Sequence, residues 1–277
     1  MKKNIYLTFD IEDWFQVENM RSVFPPESWD RQELHIEENT EKILFLLDKY
    51  NIKATFFVLG WIAERKPKLI RRIYKKGHEI ASHGYGHLLN YNLSSEELTN
   101  DIKKSKEILE DIIGERVIGY RAPSFSITDD LLQILYNLGF KYDSSYNAFS
   151  FHDRYGKITV PNNSYSPFKH ISGITEVPMP LVKMLGVSLP ISGGGYFRIY
   201  PYKMFELLVN KYFRTNCEYV FYMHPWEFDT GQPKIKTIPI NYRIRHYSGI
   251  KRSYDKLDKF IYRHKNYNFC TIRSIVG

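Results

Sequence analysis

The stretch Ile5–Asp13, which reads IYLTFDIED, decides the fold. Its first part, up to Phe9, is a run of apolar, aromatic and β-branched residues, as is typical of a buried strand. Carboxylates follow at once, at Asp10, Glu12 and Asp13. In α/β proteins the chemistry lies where parallel strands end. The stretch therefore predicts a strand that delivers acidic side chains to a site.

Strands and amphipathic helices alternate along the rest of the chain. Ser94–Glu97 reads as a capping box, Thr128 as a helix cap and Pro201 as the first turn of a helix, and a last helix is predicted over Tyr254–Tyr262. This alternation predicts an α/β fold, either a parallel β/α barrel or a doubly wound sheet. The predicted strands are Ile5–Phe9, Ala54–Leu59, Glu79–Ala81, Val117–Tyr120, Ile174–Val177, Tyr219–Met223 and Phe269–Ile272.

The segment His83–His87 reads HGYGH: it begins and ends with a histidine, and a glycine lies next to each. Imidazoles four residues apart can face one ion if the backbone between them turns into a helix, and the glycines indicate a tight loop. With a carboxylate from the first strand, the pair forms a ligand set with open positions, as catalytic zinc requires. The spacing alone is weak evidence and would also fit a surface loop.

Four titratable residues occupy the same end of their predicted strands. Asp10 follows the first strand, His83 the third, Arg121 the fourth and His224 the strand Tyr219–Met223. Because the carboxyl ends of parallel strands meet at one edge of a sheet, we expect these side chains to form one site.

The composition narrows the function classes. Hydrophobic residues make up 43% of the 277, enough for a sizeable core, and we expect a single domain over 1–277. The net charge of +8 favours an acidic partner, but no compact basic stripe or nucleic-acid motif is present, so nucleic-acid binding is not expected.

Cys217 and Cys270 are expected to be reduced. The first residues contain no signal-peptide core, which predicts a cytosolic protein.

Five separated motifs together resemble the polysaccharide deacetylase family, the NodB-homology carbohydrate esterases. The form DIEDWF, with GGGYFR at Gly193–Arg198, is similar to the branch linked to bacterial exopolysaccharide gene clusters. The resemblance implies a distorted, incomplete (β/α) barrel of the NodB-homology type. The motifs are Thr8–Trp14, Ser82–His87, Arg121–Pro123, Asp143–Ser145 and Met223–Pro225.

The resemblance also implies roles for individual residues. These are Asp10 as the catalytic base, His83 and His87 as metal ligands, Arg121 as the partner that orients the base, Asp143 as the carboxylate that tunes the acid, and His224 as the general acid.

The first motif departs from the family pattern. The family has two adjacent aspartates, of which the second binds the metal, whereas Ile11 follows Asp10 here and cannot coordinate. The ligand must then be Glu12 or Asp13. Glu12 is preferred, because alternation along an extended strand returns it to the face of Asp10; Asp13 stays open if a bulge intervenes.

The remaining candidates concern the substrate. Ser124 stands where the family usually has an aromatic residue, and it could still supply a backbone N–H to the oxyanion. Tyr196 follows a glycine run that suits close approach of a sugar, and Trp14 and Trp226 are expected in the substrate groove. Six histidines are expected to be structural or superficial: His35, His78, His152, His170, His246 and His264.

With these residues, the resemblance implies a metal-dependent hydrolase that removes the N-acetyl group from a sugar in a glycan or glycan precursor. One divalent ion is expected, zinc first, although two histidines and a carboxylate do not fix its identity. The positive charge would attract a nucleotide- or lipid-linked sugar or an anionic membrane surface. The alternatives are a deformylase or ureide amidohydrolase on the same scaffold, and a catalytically dead glycan-binding module.

Overall fold

A nine-stranded sheet organises the chain in the computed structural model, which describes residues 2–149, 154–161, 165–184 and 186–277. A separate hairpin pairs β8 with β9. The strands are β1 (Asn4–Ile11), β2 (Thr55–Val58), β3 (Glu79–Ser82), β4 (Gly119–Tyr120), β5 (Tyr142–Asp143), β6 (Phe168–Lys169), β7 (Thr175–Glu176), β8 (Leu181–Met184), β9 (Val187–Pro190), β10 (Glu218–Met223) and β11 (Asn268–Phe269).

The sheet runs in the order β10-β1-β2-β3-β4-β5-β7-β6, and β11 pairs with the first residues of β1. Every pairing in it is parallel except that of β6 with β7. Among the described strands, β10 and β6 do not pair with each other, so the sheet is a barrel left open on one side. The predicted α/β fold with an incomplete barrel is confirmed.

Nine α-helices in the described ranges surround the sheet. The Ser94 capping box and the Thr128 cap form as predicted, because each side chain accepts a backbone N–H of the first turn. Pro201 instead occupies the capping position. The helices are α1 (Ile36–Lys49), α2 (Gly60–Arg65), α3 (Pro67–Lys75), α4 (Ser95–Ile113), α5 (Asp129–Asn137), α6 (Gly194–Ile199), α7 (Tyr202–Tyr212), α8 (Ile240–Tyr247) and α9 (Ser253–Arg263).

Apolar helix faces close the core against the sheet. In α1 the buried set includes Ile43, Leu46 and Leu47, which recur at helical spacing and form one apolar face. Across the described part of the chain, no helix combines the length and apolar character that crossing a bilayer would require.

Asp143 and Glu176 form a buried carboxyl pair on the neighbouring strands β5 and β7. Glu176 Oε1 accepts the backbone N–H groups of Ser145 and Tyr146, at 3.1 and 2.8 Å. Burial raises the pKa of Asp143 to about 6, and burial together with the charge of Asp143 raises the pKa of Glu176 well above its usual value. At neutral pH the pair is therefore stable only while it retains a proton.

We expect Glu176→Gln to flatten the pH dependence of stability. A carboxyl whose pKa is higher in the folded state stabilises the fold fully below its unfolded pKa of about 4, and this contribution is lost as pH rises through the folded value. The glutamine amide would offer a permanent N–H to Asp143, so the loss between pH 5 and pH 8 should shrink. Chemical unfolding at both pH values measures it; equal slopes in the variant and the wild type would contradict the shared proton.

Candidate active site

A cavity of about 550 Å³ opens where the parallel strands end, a size typical of small-molecule sites. Asp10 lies near the end of β1, and His83 and His224 follow β3 and β10 directly. All three line the cavity. Arg121 follows β4 and reaches Asp10 from beneath the lining. The strand topology therefore brings together the four residues that the sequence placed at strand ends.

Glu12, His83 and His87 form a cluster that could hold a metal ion. One ligand atom from each lies within 4.8 Å of the other two, and all three residues are buried. The carboxylate oxygen Oε2 of Glu12 lies 2.7 Å from Nε2 of His87. In the described ranges this is the one group of three or more potential ligands.

The protonation of this cluster fits a divalent ion. Burial lowers the pKa of His83 to about 4, so its ring is neutral at pH 7. Nδ1 of His83 lies 2.8 Å from the carbonyl oxygen of Arg121 and donates to it, which leaves the lone pair of Nε2 for a metal. Burial alone would raise the pKa of Glu12, but the neighbouring histidines His87 and His224 outweigh it and lower the value to about 2. A charged carboxylate and neutral imidazole are donors that zinc accepts.

A clamped loop, and not the helical turn that the sequence allowed, presents the two histidines. Gly84 has φ +71°, and a Cβ there would lie 2.8 Å from the Asp101 carboxylate. That carboxylate, on α4, accepts the N–H groups of Tyr85 and Gly86 at 2.7 and 3.0 Å. The tight loop that the two glycines indicated is confirmed, because Gly84 and Asp101 together hold the segment in a turn.

We expect Asp101→Ala to weaken metal binding about 10- to 100-fold, the usual effect of losing a residue that supports a ligand. The loop would lose the two hydrogen bonds that fix it, while every ligand atom would remain. Competition with a chromogenic zinc chelator measures the affinity. Asp111→Ala, at an exposed position of the same helix, should keep the wild-type affinity; an unchanged affinity in the Asp101 variant would show that the loop needs no clamp.

Asp13, the other ligand candidate, is corrected to a structural role. Its Oδ1 accepts the N–H of Trp14 at 2.8 Å, and its Oδ2 accepts those of His35 and Ile36 at 2.7 and 2.9 Å. Oδ2 thus holds the start of α1, and Oδ1 holds the turn that follows β1. Of the two carboxylates that the sequence left open, the structure brings only Glu12 into the cluster.

Arg121 is fully buried and fixes Asp10. Its Nη1 donates to Oδ1 of Asp10 at 2.7 Å and to Oγ1 of Thr8 at 2.8 Å. Its Nε and Nη2 donate to the carbonyl oxygen and the hydroxyl of Ser144, at 2.9 and 3.1 Å. The guanidinium is therefore held from two strands and can orient the base candidate.

The structure corrects the role expected of Asp143. Its Oδ1 accepts the hydroxyl of Ser145 at 2.8 Å, and its other partner is Glu176, so the carboxylate is used within the sheet and not at His224. Ser145 in turn accepts the N–H of Ala122 at 2.7 Å. The Asp-Ser-Ser motif thus supports the segment that carries Arg121, because the hydroxyls of Ser144 and Ser145 accept hydrogen bonds from Arg121 and Ala122.

Glu227 is the carboxylate that contacts His224. Its Oε1 lies 2.8 Å from Nδ1 of His224 and accepts the backbone N–H of the same residue at 3.1 Å. Its Oε2 accepts Nε of Arg198 at 2.5 Å. Arg198 also donates to the backbone carbonyls of His246 and Arg245, at 2.9 and 3.1 Å. This chain of contacts was not predicted from the sequence, although the spacing His-x-x-Glu resembles a capping box and could have indicated it.

The glycine run before Arg198 includes one position, Gly194, at which the Glu227 carboxylate leaves no room for a side chain. A Cβ at this position would lie 2.1 and 2.3 Å from the two carboxylate oxygens of Glu227, whereas one at Gly195 would meet nothing within 4 Å. The carboxylate is therefore packed directly against the backbone of α6.

His224 is poised as a protonated ring. Its Nε2 lies 3.3 Å from Oε1 of Glu12 and 3.8 Å from Oδ2 of Asp10. Burial alone would lower its pKa, but the charges of Glu12, Glu227 and Asp10 outweigh it and raise the value to about 9. A cation bound at Glu12 would oppose this rise by repulsion.

Three of the four predicted substrate-contact residues line the cavity, namely Ser124, Tyr196 and Trp226. Ser124 has φ +50°, a strained conformation for a non-glycine residue and one that clusters at functional sites. Trp14 is corrected: it is 3% exposed and packs edge-on against Phe15 and Phe24 in the core.

The histidines expected to be structural lie outside the cavity lining, in so far as the structure describes them. His246 stacks on the ring of Trp226 with centroids 4.3 Å apart, and burial lowers its pKa to about 3. His35 pairs with Asp229 at 2.7 Å. His152 lies outside the described residues.

Two family models together match nearly the whole chain. Residues 1–142 match the model described as polysaccharide deacetylase, and residues 144–277 match a domain of unknown function, DUF3473, which is associated with the exopolysaccharide branch. Both segments contribute strands to the one large sheet, since β10 and β11 pair with β1.

Curated relatives are similar over shorter segments. A peptidoglycan-N-acetylglucosamine deacetylase from Bacillus cereus is 35% identical over 102 residues, which are 37% of this chain and 47% of that protein. A peptidoglycan deacetylase from Helicobacter pylori is 27% identical over 147 residues, 53% of this chain and 49% of that protein. The chain thus spans about half the length of these relatives.

Solved structures share the fold over almost the entire chain. A Mycobacterium smegmatis protein named after the polysaccharide deacetylases has a TM-score of 0.69 at 21% identity, covering 99% of this chain and 89% of that one. A pseudoenzyme of the CE4 family from Bacillus anthracis has a TM-score of 0.56 at 16% identity, covering 100% and 66%. At these identities the likeness shows the fold alone.

Proposed function

This chain belongs to the polysaccharide deacetylase family, and we propose that it is a metal-dependent hydrolase that removes the acetyl group from an N-acetylated sugar. The observation that carries the proposal is the grouping of Asp10, His224 and the cluster of Glu12, His83 and His87 around one cavity. A base, an acid and a metal site within a few ångströms are the parts that amide hydrolysis requires.

The metal would be held by Glu12, His83 and His87, with zinc as the first choice. When bound, a divalent ion polarises the amide carbonyl and makes a water molecule acidic enough to lose its proton near neutral pH. Asp10, fixed by Arg121, accepts that proton. The backbone N–H of Ser124 is proposed to help bind the oxyanion.

His224 is proposed as the general acid. The C–N bond breaks only if the departing amine gains a proton, and the Nε2 of His224 lies on the cavity side between Glu12 and Asp10. Glu227 holds Nδ1 of the ring and Arg198 holds Glu227. Glu227 accepts the N–H of Nδ1 and so holds the protonated ring in the orientation in which Nε2 can donate its proton to the leaving nitrogen.

The substrate is proposed to be an N-acetylhexosamine in a glycan or glycan precursor, since the Bacillus cereus relative is named for N-acetylglucosamine of peptidoglycan and the Helicobacter pylori relative for peptidoglycan. A nucleotide- or lipid-linked sugar, contact with an anionic membrane and a cytosolic location remain predictions from the sequence. The exposed Ile199 and Ile244 at the rim of the cavity, 51% and 58% exposed, are compatible with a lipid-linked substrate.

A release assay on N-acetylated and N-formylated hexosamines tests the proposal, with ureides as a third set. We expect acetate release that a chelator abolishes and that zinc restores. Formate or ammonia in place of acetate would favour the deformylase or ureide amidohydrolase alternative. A protein that binds the sugars and releases no product with metal present would be the glycan-binding module, as the likeness to a pseudoenzyme allows.

A further inference from the structure

One wall of the cavity carries positive charge that the proposed hydrolysis does not use. Arg245, on α8, lines the cavity together with Tyr155, Tyr196 and Tyr222. The charge of Arg245 acts on all three tyrosine hydroxyls and opposes the rise in pKa that burial causes. Arg245 and these three tyrosines therefore border the same space.

The carboxylates that line the cavity already have cationic partners. Asp10 pairs with Arg121, Glu227 with Arg198, and Glu18 with Arg21 at 3.3 Å. Glu12 belongs to the metal cluster. Over the described parts of the chain, no carboxylate lies within 4.0 Å of the side-chain nitrogens of Arg245. Arg245 therefore lines the cavity without an ion-pair partner among the carboxylates of the described residues.

The neighbouring tyrosines add hydrogen-bond donors. Burial raises the pKa of Tyr155 to about 12 and raises those of Tyr196 and Tyr222 as well, so the three hydroxyls keep their protons at neutral pH. Arg154 lines the same cavity and brings a second guanidinium, which donates to Asn19 at 2.8 Å. A region rich in donors and positive charge favours an anion.

We propose that Arg245, with Tyr155 and Tyr196, binds a negatively charged group of the substrate, a carboxylate or a phosphate carried by the N-acetylated sugar or its neighbour. This inference rests on the proposed function, because it assigns the substrate class of the same cavity. A guanidinium suits both groups, since its planar fork can donate two parallel hydrogen bonds to either. The enzyme would then select acidic N-acetylated sugars over neutral ones.

Three derivatives of N-acetylglucosamine test the proposal: the neutral methyl glycoside, the 1-phosphate and the 3-O-lactyl ether, which carries a carboxylate. The kcat/KM ratio of each charged compound to the neutral one is measured by acetate release. We expect Arg245→Ala to lower this ratio about 10- to 100-fold, the usual effect of losing a hydrogen bond to a charged group, chiefly through KM. Arg245→Lys should restore part of it. The phosphate and carboxylate arms show which group is the ligand.

Arg243→Ala is the matched control, because it removes the same charge from the same helix at a residue outside the cavity lining. It should keep the wild-type ratio. A ratio unchanged by Arg245→Ala, or lowered equally in both variants, would overturn the proposal.

The dissociation constants of the three compounds, measured by calorimetry on the same proteins, give a readout independent of turnover. If no compound releases acetate but the charged ones bind the wild type more tightly than Arg245→Ala, the proposed function fails and the anion site stands. If acetate is released but Arg245→Ala binds charged and neutral compounds in the wild-type proportion, the anion site fails alone.

Discussion

His224→Ala should lower kcat for acetate release from an N-acetylated sugar by about 100- to 10,000-fold, the range for loss of a proton-transfer residue. The departing amine is a poor leaving group unless it is protonated, and His224 is the titratable ring that faces the cavity between Glu12 and Asp10. An activated acetate ester, such as the p-nitrophenyl ester, releases a stable anion that needs no proton. We therefore expect hydrolysis of the ester to fall much less than that of the amide.

The comparison of the two substrates separates proton donation from damage to the site. Both reactions need the metal and the base, so loss of either would slow ester and amide alike. Metal content is measured on the same samples, because His224 contacts the ligand Glu12. Equal losses on ester and amide at unchanged metal content would contradict the role of His224 as an acid.

Gly194→Ala should lower kcat on the amide by about 100-fold although it removes no functional group. The added methyl carbon would lie 2.1 Å from a carboxylate oxygen of Glu227, so that side chain must move and can no longer hold His224 in place. A displacement of about 1 Å in a catalytic arrangement can cost this much. The ester should again be less affected than the amide.

Gly195→Ala is the matched control for the fold, because the same methyl group at the next residue meets nothing within 4 Å. Its unfolding midpoint should equal that of the wild type. Full amide activity in Gly194→Ala would show that Glu227 does not position the acid. Glu227→Gln is a second check: the amide of the new side chain would have to satisfy N–H donors from both Arg198 and His224, and one contact must fail.

The fold could be predicted from the sequence because its signals are local. The strands β1, β2 and β10 are largely apolar runs, and β1, β3 and β10 end next to polar residues, so the location of the site followed from these strand ends. The two-residue strand β5 carries no such signal and was not predicted. The choice of Glu12 over Asp13 was open, because it depends on which backbone N–H groups are within reach, and those of His35 and Ile36 come from 22 and 23 residues away.

The partner of His224 could not be predicted for the same reason. The Glu227 carboxylate reaches the ring because a short turn follows β10, and Arg198 joins it from 29 residues earlier in the chain. Asp143 looked suitable by motif, yet it is held by Ser145 and Glu176 in the sheet. Trp14 was expected in the groove, but the turn after β1 directs its ring into the core. Local sequence patterns can show which residues are candidates for the site. The contacts that each candidate makes depend on segments that are distant in the sequence, and these cannot be predicted from local patterns.

The central claim is that one divalent ion at Glu12, His83 and His87 supports amide hydrolysis. The most direct test is to strip the protein of metal, titrate it with zinc, and follow bound metal and acetate release from an N-acetylated sugar together. We predict that both rise in parallel and level off at one equivalent per chain, and that His87→Ala shifts both curves to higher zinc. Acetate release from the stripped protein at the rate of the loaded one would contradict the claim.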